Sequence, residues 1–373
     1  MQKIVLSTVG TSLLTQQIDR GNPDEKDWYP KLRDSANLRL EETPEEIRDI
    51  IATLQARAIH KLEKGSIKQI RAASAELNGI YGIYDERLEQ GKTDMHWLIS
   101  TDTAQGIATA SIVQEFLTNH RITTQTFTPS GLSTSSTQAF TEGIDELLSW
   151  LDSAIKGYDH TCFNLVGGFK ALQGYLNTIG MFYANELVYI FEGANSEVIK
   201  IPRLPIVINS NIFQDYVASF ALMAAGAWLP ISEDLKKLPE SLFLFAENEC
   251  ALSNWGRLTW NQVKTGFLSN DLLPLPRLQY QKSFHKDYEN ISDISQRVKL
   301  QEVLAKVSYL FSKSNGDTGA LKDDAGVLYE VYTNKNGIAH FRVTQGIRVS
   351  CVAEDGQLVL RRYGTEPEVN RNP

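Results

Sequence analysis

The stretch HTCFNLVGGFKALQGYLNTIGMFY, residues 160–183, decides the fold. Its opening reads as a strand ending near Val166, Gly167 and Gly168 make a turn, and the remainder carries apolar residues at helical spacing. A strand passing straight into a helix is the building unit of a parallel sheet, so the next question is whether the unit recurs. It does. KIVLST (3–8) reads as a buried strand, MHWLIST (95–101) enters the helix TAQGIATASIVQEFL, ITTQTFTP precedes a helix from about 137 to 155, and ELVYIFEG closes the series as a strand. TPEE (43–46) predicts a helix start with Thr43 as N-cap, Pro44 in the first turn and Glu46 closing a capping box, the helix running to about Lys61. Helical periodicity resumes from about Ile67 to Leu77, whereas the polar residues 15–42 read as a surface loop.

Residues 1–206 are therefore expected to form an α/β, Rossmann-like, doubly wound domain. In such sheets ligands bind beyond the carboxyl ends of the strands, where strand order switches. After IPRLPI the pattern becomes helical over 207–273, with Trp228, Trp255 and Trp260 as candidate core or dimer contacts. Residues 274–373 carry one or two helices and then four short strands, an α+β order expected of a separate domain.

Composition narrows the classes. With 42% hydrophobic and 22% charged residues, 373 residues suit an ordinary globular chain of two domains, and no apolar run approaches a membrane span. The start MQKIVLSTVG lacks the pattern of a secretory signal, so the expected location is cytoplasmic. Cys162, Cys250 and Cys351 lie far apart, which indicates neither a disulfide framework nor a zinc site. A net charge of -8 argues against general nucleic-acid affinity. Residues 274–373, however, hold 14 Lys and Arg against 12 Asp and Glu, a local balance of +2 that leaves -10 on the rest. If any part touches RNA, it is this one.

Three loops fall at the ligand edge of the expected sheet: VGTSLL after the first strand, STDTAQG after the second, and VGGFK after Asn164. Gly167-Gly168 before a helix presents outward N–H groups suited to an anion. Lys170 sits in the first turn, the wrong end of a helix for a cation unless a phosphate is bound there. Thr8, Thr11, Ser12 and the Ser100–Thr103 group add hydroxyls. Each loop alone also fits a plain turn or helix cap. Neither G-x-G-x-x-G nor G-x-x-x-x-G-K-[ST] is present, which disfavours a nicotinamide or P-loop triphosphate site.

STVGTSLL, STDTA, NLVGGFKALQGYL and the downstream FEG together resemble a CARF domain, the cyclic oligoadenylate sensor of type III CRISPR systems, over about residues 1–200 and touching WGRLTW. The resemblance implies a homodimer cradling a ring of adenylates, most often cyclic tetra-adenylate, which acts as an allosteric activator with no other cofactor. It implies that Gly10, Thr11 and Ser12 touch the ring, that Gly167, Gly168 and Lys170 hold phosphate, and that Asp102 and Thr103 lie nearby, with Thr8 adding a hydroxyl. Some relatives also cut the ring, using a Ser and a Lys at positions matching Ser12 and Lys170.

Such a sensor usually carries an effector. Arg277 and His285 are too far apart for the R-x4-6-H of a HEPN ribonuclease, no clear E-x-K marks a metal-dependent nuclease, and a winged helix would not end in strands. Residues 277–371 instead resemble the RelE toxin fold, most specifically in the paired strands HFRV and IRVSCV. That resemblance implies metal-free cleavage of messenger RNA in the ribosomal A site. His340 is then the acid/base candidate, Arg342 and Arg348 clamp phosphate, and Arg361 or Arg362 joins the site. Alternation puts His340, Arg342 and Arg348 on one face, with Ala339, Phe341 and Val343 toward the core. The family's E-V-Y ending reads EVN here, with Asn370 in place of tyrosine and Tyr363 a substitute candidate. The implied partners are a second copy, messenger RNA and the ribosome, with a ribosomal stalk protein as a candidate for the 207–273 segment and no membrane. A solvated arginine face, or a ring nuclease with a non-catalytic C-terminal interaction domain, is the alternative.

Overall fold

The computed structural model describes residues 2–190, 197–333 and 335–373. The chain forms two compact units, Met1–Ile206 and Val207–Pro373. The FEG motif at 191–193 lies outside the described residues.

In the first unit β1 (Lys3–Thr8) is followed by a one-turn α1 (Ser12–Thr15), then α2 (Trp28–Asp34), α3 (Glu45–Lys64), α4 (Ile67–Ala73) and α5 (Ala75–Ile83). Next come β2 (Met95–Ile99), α6 (Ala104–Asn119), β3 (Thr123–Phe127), α7 (Thr137–Ala154), β4 (His160–Asn164), α8 (Lys170–Tyr183), β5 (Glu186–Ile190) and β6 (Val198–Pro202). They build one six-stranded sheet in the order β3-β2-β1-β4-β5-β6. The first five strands are parallel and β6 is antiparallel to β5. From β1 the chain winds outward through β2 and β3, then crosses back to β4 and β5. The switch in strand order therefore lies between β1 and β4.

Strand β1 is buried on both faces, as a central parallel strand must be. Val5, Leu98, Cys162 and Val188 enter one core with residues of α3, α5 and α6. On the other face Trp150 of α7 stacks on Phe127 at 4.3 Å and meets Trp97 edge-on at 4.9 Å. Two local expectations are corrected. Helix α3 has Pro44 at its N-cap and no capping box, because the Thr43 hydroxyl turns back to donate to the Arg39 carbonyl. The periodic run from Ile67 breaks at Ser74, whose extended backbone lets its hydroxyl cap α5 at the Leu77 N–H.

The 15–42 segment is more built than its polarity suggests. Leu32 of α2 is fully buried, an anchor of roughly 2 kcal/mol. Arg57 holds Glu25 through two N–H donors at 2.7 and 2.8 Å and lies 5.6 Å over the Trp28 ring. The guanidinium pulls the buried Glu25 carboxyl down to about 2. Gln105 of α6 donates to the Leu32 carbonyl at 2.7 Å. The segment is welded onto the domain.

In the second unit α9 (Val217–Ala224), β7 (Leu229–Pro230), β8 (Phe243–Ala246), β9 (Glu249–Leu252) and α10 (Asn254–Leu268) precede β10 (Leu278–Tyr280), α11 (Lys282–Glu289), α12 (Ile294–Lys313) and α13 (Gly319–Asp323). The chain ends with β11 (Glu330–Val331), β12 (Ala339–Arg342), β13 (Ile347–Glu354), β14 (Gln357–Thr365) and α14 (Glu366–Arg371). The mainly helical reading of 207–273 is corrected: the segment also contains a three-stranded sheet, β7-β9-β8. Nor does it stand apart. Phe213, Phe220 and Trp260 share one continuous core with Phe284, Leu304, Phe341 and Leu360. Trp260 is buried there, whereas Trp228 is 42% exposed. The second sheet runs β10-β14-β13-β12-β11.

Candidate functional site

The carboxyl ends of β1 and β4 are pinned together before their loops begin. Asn164 donates to the Ser7 hydroxyl and to the Glu76 carbonyl, both at 3.0 Å. Beyond that clamp the two loops touch backbone to backbone: a Cβ on Gly10 would stand 2.9 Å from the Gly168 nitrogen. Gly168 has φ +96°, and a Cβ there would meet Thr8 at 2.8 Å, so both the turn and the contact demand glycine. Gln173 donates from below to the carbonyls of Leu165 and Gly167.

Above this floor is a cavity of about 470 Å³. Gly10, Thr11, Ser12, Gly167, Gly168 and Lys170 all line it. Helix α8 begins there with Phe169 as N-cap and no capping side chain, which leaves the first-turn N–H groups facing the cleft loop. Lys170 is exposed at that start. A phosphate would meet amide donors, the positive end of the helix and an ammonium together.

Glu76 lies beneath. It is fully buried, accepts from the Gly10 N–H at 2.8 Å and the Ser74 hydroxyl at 2.8 Å, and contacts Gly167. Burial pushes its pKa up. Glu76 thus braces both loops from beneath the cavity.

Three expected ligand residues serve the fold instead. The Thr8 hydroxyl is buried and donates to the Gly167 carbonyl, which ties the two loops. Thr103 is the buried N-cap of α6, accepting from the Gly106 N–H. Asp102 accepts from the Gly131 N–H at 2.9 Å and pairs with Arg39 at 3.2 Å. The STDTA loop is thus absorbed in its own caps and is not part of this cavity's lining. Conversely, Tyr29 and Arg33 of α2 line the cavity from the segment read as a loop. Proline and charge hid a seven-residue helix that Trp28 and Leu32 anchor to the core.

The second candidate face lies on β12 and β13. Register places His340 opposite Ser350 and Arg342 opposite Arg348, while Phe341 and Val349 turn to the core. His340 is 12% exposed, stacks on Tyr332 with ring centroids 4.6 Å apart, and lies 3.8 Å from Glu330. Burial lowers its pKa, so its neutral form prevails at pH 7. Among the described residues of these strands, four buried polar atoms have no partner within the protein: His340 Nδ1, Arg342 Nε, Ser350 Oγ and Arg361 Nε. Arg361 is the extra residue of a β-bulge in β14, a device that re-aims a side chain.

Two of the five basic residues differ from expectation. Arg348 is 5% exposed; Nη1 donates to the carbonyls of Thr344, Gln345 and Ile347, and Nη2 pairs with Glu366 at 3.1 Å. It closes the hairpin turn onto α14 and is not presented as a phosphate clamp. Arg362 pairs with Asp287 at 2.7 Å, and Asp287 also accepts the Tyr363 N–H. This leaves His340, Arg342 and Arg361, the last donating from Nη2 to the Pro373 carbonyl at 3.3 Å. Asn370, at the position of the expected terminal tyrosine, accepts from the Tyr332 hydroxyl at 2.7 Å. An aromatic ring therefore stands beside His340 after all, supplied by the residue following β11. Tyr363 lies apart from this arrangement, with its hydroxyl toward Gln296.

Comparison with known proteins places residues 71–204 in similarity to the family described as CRISPR-associated protein (Cas_APE2256), a little over a third of the chain. A copper-bound mutant toxin from Helicobacter pylori is similar at 21% identity, covering 26% of this chain and 99% of that one, with a TM-score of 0.20. YafQ from E. coli is similar at 19% identity, covering 25% of this chain and 97% of that one, with a TM-score of 0.18. Part of this chain is thus similar to a CRISPR-associated family, and that part includes β4, α8 and the Gly167-Gly168 loop.

Proposed function

We propose that the first unit binds a cyclic oligoadenylate, cyclic tetra-adenylate by preference, as a homodimer, and that the ligand activates RNA cleavage by the second unit. The observation that carries this reading is the cleft at the β1/β4 switch point, where two touching glycine loops, the uncapped start of α8 and Lys170 converge. A two-fold ring suits a two-fold pair of such clefts. The similarity of residues 71–204 to a CRISPR-associated family supports the same direction.

The cleavage reading rests on the sequence resemblance and on the polar atoms left unpartnered around His340. Neutral His340 accepts the proton of an RNA 2′-hydroxyl as that oxygen attacks the neighbouring phosphorus. Arg342 and Arg361 neutralise the crowded phosphate, and the 5′-oxygen of the next nucleotide leaves as a hydroxyl by taking a proton from solvent, giving a 2′,3′-cyclic phosphate while His340 returns its proton to solvent. No metal enters this scheme. Ribosome-bound messenger RNA is the proposed substrate.

Calorimetric titration with cyclic tetra-adenylate tests the sensor half. Lys170→Ala is expected to weaken binding at least tenfold, because a charge-assisted phosphate contact contributes roughly 1.5–3 kcal/mol. Equal affinity in the variant and wild type would remove the cleft from the account. A second reading is favoured by one observation: Ser12 and Lys170 line the same cavity. In this reading they bind the phosphate of a ring whose own 2′-hydroxyl attacks it, so that the unit destroys its signal. Loss of added ring while messenger RNA stays intact would support that reading.

A further inference from the structure

The cleft has a second wall whose chemistry differs from its phosphate floor. Helix α2 brings Tyr29, 51% exposed, and Arg33, whose Nε donates to Asp34 at 2.8 Å, to the same cavity that Gly168 and Lys170 line. We propose that Tyr29 and Arg33 form a base-recognition subsite: the Tyr29 ring stacks on the purine of a nucleotide whose phosphate lies at Gly168 and Lys170, and Arg33 contacts the same nucleotide's anionic backbone. The proposal rests on the reading of the cleft as a nucleotide site.

Size is the first argument. A cavity of about 470 Å³ falls within the range that accepts small organic ligands, and one phosphate fills only a small part of it. Room remains for sugar and base beside the amide donors. Chemistry is the second. A planar aromatic group and a guanidinium are the two side-chain types that hold nucleobases by stacking while tolerating a backbone charge nearby.

The anchoring of α2 is the third. Tyr29 is on the outside of a helix held by fully buried Leu32, by the Gln105 bond to the Leu32 carbonyl, and by the two-pronged Arg57–Glu25 pair. Lys31 adds ion pairs to Asp27 and to Glu46 of α3. Such bracing fixes the ring's backbone before any ligand arrives, so little ordering is needed on binding. Exposed position and rigid support together are what a stacking platform needs.

The test uses the full chain and two probes, cyclic tetra-adenylate and cyclic tetra-uridylate, in parallel calorimetric titrations. Wild type is expected to prefer the purine ring. Tyr29→Ala is expected to weaken cyclic tetra-adenylate binding about tenfold and to narrow the gap between the two rings, since stacking is lost chiefly from the larger base. Tyr29→Phe is expected to keep wild-type affinity, and Arg33→Ala to weaken both rings alike. Tyr29 is exposed, so these variants fold. If Tyr29→Ala binds the purine ring as wild type does while Lys170→Ala does not, the subsite is overturned and the phosphate cleft stands. If wild type binds neither ring, the nucleotide reading itself fails and the subsite with it.

Discussion

Arg348 and His340 lie on adjacent strands of one sheet, yet their surroundings assign them different work. Arg348 is held by three carbonyls and Glu366, so Arg348→Ala should destabilise the fold by about 3 kcal/mol, read from denaturant unfolding. His340→Ala should cost only about 1 kcal/mol, the loss of its stack on Tyr332, and lower RNA cleavage 10²–10⁴-fold, the usual contribution of a general base. Reversal of that pattern would exchange their roles. Alternation in HFRV showed which residues share a face, because strand period alone settles it. It could not show that Glu366, eighteen residues beyond Arg348, would claim one of them. A separate residue tests the first unit. His96 is wholly buried, bonded to the Tyr84 hydroxyl at 2.8 Å, and burial pulls its pKa down to about 3. Unfolding restores an ordinary value near 6.5, so the unfolded chain binds the extra proton and stability falls as pH drops from about 6.5 toward 3. At pH 5 the loss is about 2 kcal/mol, and His96→Gln should abolish that part of the slope in unfolding measured at pH 5 and 7.

At the scale of elements, the glycine loops after β1 and β4 hold each other in place. Gly168→Ala imposes a side chain at φ +96° and drives it to 2.8 Å from Thr8. The expected cost is roughly 1–3 kcal/mol in thermal or denaturant unfolding, with ligand affinity lost more than tenfold, since the loop cannot keep its contact with Gly10. Normal binding by this variant would mean that the loop contact does not shape the site. The alternation of strand and helix made these loops legible, because a parallel sheet forces every β-to-α loop to the same edge. The second wall was hidden for a physical reason. Helix α2 spans seven residues and holds on through Trp28, Leu32 and charged pairs, too short a run to carry a periodic apolar signal. The STDTA hydroxyls misled in the opposite sense: a hydroxyl before a helix caps that helix as readily as it binds a ligand, and Thr103 does the former.

For the whole molecule, the proposal pairs a candidate ligand cleft in one compact unit, Met1–Ile206, with a candidate RNA-cutting face in the other, Val207–Pro373. The ring can switch the second unit only by binding the cutting-competent arrangement more tightly than the idle one. Occupancy of the cleft and cleavage must then rise together over the same range of ring concentration. The most direct measurement follows the integrity of messenger RNA with and without cyclic tetra-adenylate, in the presence and absence of ribosomes, for wild type and Lys170→Ala. The account predicts cutting only when ring and ribosomes are both present, with the variant requiring at least tenfold more ring. Cutting that ignores the ring, or consumption of the ring while the messenger stays whole, would contradict it.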